Sequence, residues 1–214
     1  MSLARILAPF ALALALLAPA RAPGEATYSL DPVHTRVLFT VGHAGFSQAM
    51  GTISGSTGTV EFDPDDWSKA RIDVQVPLAR LDLGDEKWER AVLAEQFLDA
   101  EQHPVATFVS TRVEPVDATH ATVVGQLTLR GLAREVRLDV TFHQLKRHPM
   151  PPFRRTAGFT ATATFSRQLF AITAWPSVVG DEVTLRIEAE AVRGRGNARD
   201  DDTDDDTDQE KEPG

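Results

Sequence analysis

The chain has 214 residues, with 22 Lys and Arg against 31 Asp and Glu, six His and no Cys. The absence of cysteine excludes a disulfide framework, a thiolate metal site and a cysteine nucleophile. The formal charge of −9 is mostly terminal: from Asp200 onward there are seven Asp and two Glu against one Lys, so the rest is nearly neutral and lacks the clustered Lys and Arg of a nucleic-acid surface.

Arg5, an apolar run over residues 6–17 and the small residues Ala20 and Ala22 make the pattern of a secretory leader. The run is too short to span a bilayer comfortably. Residues 1–22 are therefore expected to be a signal peptide, cut between positions 22 and 26. This implies a periplasmic or secreted protein with no stable membrane span. A short strand is predicted over residues 27–31, turned by Pro32, and a second over 34–41. Gly42, Gly45, Gly51, Gly55 and Gly58 interrupt the stretch up to Phe62, which reads as one bent strand with bulges. Asp63-Pro64-Asp65-Asp66 is a turn, and residues 71–78 form a strand.

The pattern then changes. Residues 84–96 do not alternate, and Trp88, Ala91, Val92 and Glu95 share one helical face, with Asp85 placed to cap the first turn. This is the one main helix, packed on the strands or lying over one end of them. Strands resume at 105–113, 121–129, 136–142, 159–165 and 183–191. A polar loop spans 146–155, and residues 167–171 form a single helical turn. Residues 194–214 are a run of like charge with nothing apolar to bury and are expected to be a disordered acidic tail.

Val183, Leu185, Ile187, Ala189 and Ala191 alternate with Thr184, Arg186, Glu188 and Glu190, and most other strands read alike. Side chains of a strand point to opposite faces with period two, so each strand has a dry and a wet side. Some eight such strands in succession predict an all-β fold, an eight-stranded antiparallel barrel closed around its apolar face with the helix capping or flanking it.

The inward phase combines bulky Phe39, Phe62, Phe108, Phe142, Phe159, Phe165 and Ile187 with small Ala106, Gly125, Ala161, Ala163, Ala189 and Ala191. This pattern fits a barrel packed solid and a barrel with a slot along one wall equally well. A slot would take an apolar guest. Ten buried carbons contribute about 8 kcal/mol gross, against an association cost of ~4 kcal/mol or more. The candidate ligand-binding residues are the inward positions Phe39, Val74, Val76, Phe108, Leu127 and Leu138, with Phe142, Phe159, Ala161, Ala163, Phe165, Leu185 and Ile187. Trp88, Phe97, Phe170 and Trp175 are added as mouth residues.

Chemistry-bearing motifs are absent: there is no serine nucleophile elbow, no HExxH and no phosphate loop. None of the six histidines forms an i,i+4 helical pair or completes a ligand set, so neither a metal nor a catalytic residue is expected.

Ordered segments of the chain resemble the YceI family of polyisoprenoid-binding periplasmic proteins. These are Tyr28-Ser-Leu30-Asp31-Pro32-Val33-His34-Thr35, Phe39-Thr-Val41-Gly-His43 and Leu93-Ala-Glu-Gln-Phe97-Leu98-Asp99, then His103-Pro104-Val-Ala-Thr-Phe108, Gly125-Gln-Leu127-Thr128-Leu129-Arg-Gly131, Gly158-Phe159 and Ser166-Arg167-Gln-Leu169-Phe170-Ala-Ile172. The resemblance implies a lipocalin-like barrel whose lumen holds a long isoprenoid chain, such as an isoprenoid quinone or a polyprenyl lipid. It implies a carrier or sequestering protein rather than an enzyme. Ala171 stands where a glycine is usual, which is expected to alter the turn beside the pocket. Glu86-Lys87-Trp88 replaces a more polar segment, so the helix is expected to cap the lumen differently. Two alternatives stay open: a lipid-modifying enzyme using the same pocket, with Asp99 or His103 near the helix end as its candidates, and a filled barrel acting through its surface, with Arg147, Arg154 and Arg155 as its contact. A homodimer is also left open.

Overall fold

The computed structural model describes residues 26–194. The expected leader and nearly all of the expected tail lie outside them. Eleven strands and one α-helix are present: β1 (Ala26–Leu30), β2 (Arg36–His43), β3 (Ser47–Ser54), β4 (Thr57–Phe62), β5 (Arg71–Pro77), β6 (Leu81–Asp82), α1 (Glu86–Leu93), β7 (Val105–Pro115), β8 (His120–Leu129), β9 (Leu132–Arg147), β10 (Arg155–Ser166) and β11 (Val179–Arg193). The order β1-β4-β5-β7-β8-β9-β10-β11 closes into a ring because β11 pairs back onto β1. The result is a closed eight-stranded antiparallel barrel.

The three remaining strands are continuations of three staves. β2 extends β1 beyond a break at Pro32, β3 precedes β4 across Gly55, and β6 follows β5 after a 3₁₀ turn at Leu78–Arg80. β11 therefore carries two partners along one edge: its last residues pair with β1 (Ser29↔Val192) and its earlier ones with β2 (Phe39↔Leu185). Along β11 the inward Val183, Leu185, Ile187 and Ala189 are half-buried, while Thr184, Arg186 and Glu188 face solvent.

One stretch differs from the sequence reading. Residues 42–62 are not a single bent strand; the chain reverses between β2 and β3. Ala44 and Gly45 both have positive φ, 50° and 74°, and the Phe46 N–H donates to the His43 carbonyl at 3.0 Å. This is a two-residue turn of the primed kind that matches the twist of a hairpin. Alanine in its first central position, where asparagine or aspartate is usual, hid the signal. β9 and β11 also run longer than the alternation suggested, because pairing continues past the last clearly one-sided residues.

α1 begins at Asp85, whose carboxylate accepts from the Lys87 and Trp88 backbone N–H groups at 3.0 and 3.1 Å. It sits at the end of the barrel that also holds the β2–β3 turn and residues 167–178. The opposite end is filled by aromatic rings. Phe62 meets Trp67, Phe142 and Phe159 at centroid distances of 5.3, 5.1 and 5.3 Å, and Phe142 meets Phe159 at 5.5 Å. Such pairs contribute about 0.5–1.5 kcal/mol each beyond their burial, so they help to stabilise this floor.

Two backbone positions carry specific loads. Gly125 lies opposite the register shift at Ser110–Arg112 in β7, with the Phe108 ring over it; a Cβ there would come within 2.6 Å of the Val109 carbonyl oxygen. Ala171 closes the 3₁₀ turn Arg167–Phe170 in the left-handed region, φ 56° and ψ 25°. The turn expected to be altered by this alanine thus forms, but in a conformation costing an L-residue roughly 1–2 kcal/mol. Ala171→Gly should therefore leave the structure unchanged and raise stability by up to about 1 kcal/mol, since the extra freedom of glycine in the unfolded chain offsets part of the relief. Gly125→Ala should lower it by about 1–3 kcal/mol through overpacking against backbone. Chemical denaturation of both variants checks these outcomes.

Candidate functional site

Small residues on several strands leave room along the barrel axis. A cavity of about 410 Å³ runs from the aromatic floor (Phe62, Trp67, Phe159) to a mouth framed by His43, Trp88, Trp175 and Val178. That volume falls within the ordinary range for a ligand pocket, roughly 300–1,000 Å³, so the lumen is not filled by its own side chains.

Of the positions selected by strand phase, Phe39, Val74, Val76, Phe108, Leu127, Leu138, Phe159, Ala161, Phe165, Leu185 and Ile187 line this cavity. So do the mouth residues Trp88, Phe97 and Trp175. Three others are not on its wall. Phe142 is packed into the floor between Trp67 and Phe159. Phe170 is fully buried behind Phe165, with the two rings 5.4 Å apart. Ala163 is buried in the same upper cluster as Phe170. Strand phase pointed Phe142 and Ala163 inward, but inward residues near the ends of a barrel pack on plugs and turns rather than on open space; Phe170, expected at the mouth, is instead buried under the turn that carries it.

Other wall residues escaped the sequence reading. Leu83, Ala91, Val92 and Leu98 come from α1 and its flanking segments, which bridge the gap between β6 and β7. The helical face holding Ala91 and Val92 was visible in the sequence; that it faces the lumen was not. The loop after α1 is tied down by Arg130, whose guanidinium donates to the carbonyls of Glu95 and Phe97, the latter at 2.6 Å. Phe97 in turn meets the edge of Trp175 at 5.8 Å, and Trp88 packs on His43 at 5.6 Å.

The wall is almost entirely apolar. Its ionisable members, among the described residues, are His43 and Arg167. Arg167 is buried, and its three guanidinium nitrogens donate to the carbonyls of Gly180 at 2.7 Å, Ile172 at 2.9 Å and Val179 at 2.8 Å. Burial pushes its pKa down, and Asp181 opposes this. The guanidinium stays charged and pins the start of β11 to the turn before it. Its role was illegible in the sequence, because an arginine after a strand reads as a surface residue.

Titratable groups elsewhere stand apart from the cavity. Asp99 and His103 lie 3.9 Å apart, and neither lines the cavity. At the break between β1 and β2, His34 Nδ1 lies 2.8 Å from Asp31 and 3.9 Å from Glu190, three side chains close enough to hold a cation. Asp31 already accepts the backbone N–H groups of Val33 and His34. Burial works to raise the Asp31 pKa, but the hydrogen bonds from His34 and Val33 leave it lowered. The hydrogen bond to Asp31 raises that of His34. This is an exposed ion pair that ties down a turn.

A family profile described as YceI-like domain matches residues 28–191. A UPF0312 protein of Pseudomonas savastanoi pv. phaseolicola is 32% identical over 193 residues, covering 89% of this chain and 98% of that protein. Another, from Pectobacterium atrosepticum, is 30% identical over 183 residues, covering 85% and 94%. Among solved structures, Burkholderia cenocepacia BcnA superposes with a TM-score of 0.68 at 25% identity, covering 76% of this chain and 99% of its own. A polyisoprenoid binding domain from Saccharophagus degradans shares the fold at TM-score 0.59 and 12% identity, covering 79% and 99%. The closed barrel, its axial cavity and the profile match over nearly all of the described residues together make this chain a member of the YceI family.

Proposed function

We propose that this protein binds a long isoprenoid or similar apolar lipid chain in its barrel lumen and carries or sequesters it in the periplasm or outside the cell. The carrying observation is the cavity of about 410 Å³ that runs down the axis with an apolar wall. A chain of methylene and methyl groups gains roughly 0.8 kcal/mol per buried carbon there without any ionic anchor. Family membership supports the reading, as does the description of one fold neighbour as polyisoprenoid binding. The leader pattern at Arg5 and residues 6–17 supports the location. No helix among the described residues is long and apolar enough to cross a membrane.

Binding rather than catalysis fits the wall. No carboxylate, and no ionisable pair, lines the cavity among the described residues. Arg167 spends its donors on backbone carbonyls, and the Asp99–His103 pair lies outside.

Organic extraction of the protein purified from its native host, followed by mass spectrometry, should recover a long-chain apolar lipid. Recovery of only water-soluble compounds, or of nothing, would overturn the reading. Ala161 lies on the cavity wall between Val140 and Ile187 on the flanking strands. Ala161→Phe should occupy the space of two or three ligand carbons and weaken lipid binding roughly tenfold or more. The fold, read by circular dichroism, should persist at a cost of about 1–3 kcal/mol.

A further inference from the structure

We infer that the mouth end of the barrel is a membrane-docking surface, which sets the lumen opening against the interfacial region of a lipid bilayer. Three observations meet there. The first is exposure. Phe46, at the tip of the β2–β3 turn, is 93% exposed, Trp175 is 54% exposed and Trp88 is 47% exposed. They come from three separate segments, linked through His43, Ala44 and Val178. Phe46 bonds back to His43, whose ring packs on Trp88. Ala44, beside Phe46, donates to the Val178 carbonyl at 2.6 Å, and Val178 donates to that of Trp175 at 2.9 Å.

The second is charge. Residues 37–60 contain no Asp, Glu, Lys or Arg, and neither do residues 168–180. These stretches supply the tip of the β2–β3 hairpin and the loop beside it. Nothing in either loop has to shed a charged hydration shell to enter an apolar phase. α1, which carries Trp88, brings Glu86, Lys87, Glu89 and Arg90 to the same end, so the uncharged surface is that of the two loops; the opposite end has no such stretch. It also exposes apolar side chains, Val116, Met150 and Phe153. There they are interleaved with Asp63, Asp65, Asp66, Asp117, Lys146, Arg147, Arg154 and Arg155. Behind them the barrel is closed by the Phe62–Trp67–Phe142–Phe159 floor.

The third is continuity. Trp88, Trp175 and Val178 belong both to the exposed rim and to the cavity wall. An apolar chain leaving the lumen across this rim moves from one greasy surface to the next. Indole rings are suited to the headgroup level of a bilayer, with an apolar body and a polar N–H. Basic residues are not clustered here, so docking should rest on apolar burial rather than on anionic lipid.

The purpose of this surface rests on the lumen reading above; its existence is tested independently. The mature protein is mixed with phosphatidylcholine vesicles and floated through a density gradient. Phe46→Asp is the discriminating variant, since Phe46 is not on the cavity wall and its exposure means that its loss should not unfold the protein. Phe153→Asp, at the far end, is the control. The wild type should float with the vesicles, and raising salt from roughly 0.1 to 1 M should not release it. Phe46→Asp should cut the floated fraction roughly tenfold or more, as expected for one phenyl ring withdrawn from burial, and Phe153→Asp should not. Binding of parinaric acid, a fluorescent polyene chain, should be equal in all three. Loss of parinaric acid binding by the wild type would count against the lumen reading, while flotation would still decide docking. The inference is overturned if the wild type does not float, if Phe46→Asp floats as well as it, or if Phe153→Asp loses as much. It is also overturned if size exclusion shows a dimer that Phe46→Asp dissociates while the wild type stays off the vesicles.

Discussion

Closure of the sheet by β11 is the constraint on which everything else depends. A strand edge left open would present unpaired N–H and C=O groups to water or to another chain. Here the first stave and the last meet through Tyr28↔Arg193 to Leu30↔Ala191, and again through Arg36↔Glu188 to Val41↔Val183. Once the edges are joined, the apolar faces of eight staves have only each other to face. The number of strands then sets a diameter wider than this set of inward side chains can fill. The cavity is the remainder of that mismatch.

The two ends of the tube resolve the mismatch in opposite ways. At the floor, four large rings interlock in edge-on and tilted contacts and fill that end. At the mouth the chain uses loops held by backbone geometry and by two arginines that donate to main-chain carbonyls, Arg130 and Arg167. Ala44, Asp99, Arg130, Ala171 and Trp175 all adopt positive φ there. Such positions cost free energy and persist where surrounding structure over-determines them. Their concentration around the opening places the rim, which includes Trp88 and Trp175, in a defined shape.

Those clamps also explain why a cationic side chain sits on a greasy wall without disturbing it. The donors of Arg167 reach the Ile172 carbonyl in the preceding turn and those of Val179 and Gly180 at the start of β11. Its charge is thereby solvated by backbone dipoles and is not presented to a guest. The wall that remains is apolar apart from the backbone-bound Arg167 and His43 at the mouth.

Period-two alternation was enough to read the class of fold, the number of staves and most of the wall, because a residue's side of a strand is a local property. Ala161, Leu185 and Ile187 were assigned to the interior on that basis alone, while the family resemblance rested on other segments, such as Leu93 to Asp99 and Gly125 to Gly131, taken in their order. Local pattern could not show that the β2–β3 reversal uses Ala44 where a turn residue is usual, or that Phe142 and Phe170 plug space instead of bordering it. Nor could it show that the helix lends Ala91 and Val92 to the lumen. Those outcomes depend on which side chains arrive from distant strands to share one volume. The sequence by itself determined that there would be an apolar inside; only the tertiary structure decided how much of it stayed open, because an unfilled volume belongs to no residue and exists only once the barrel has closed.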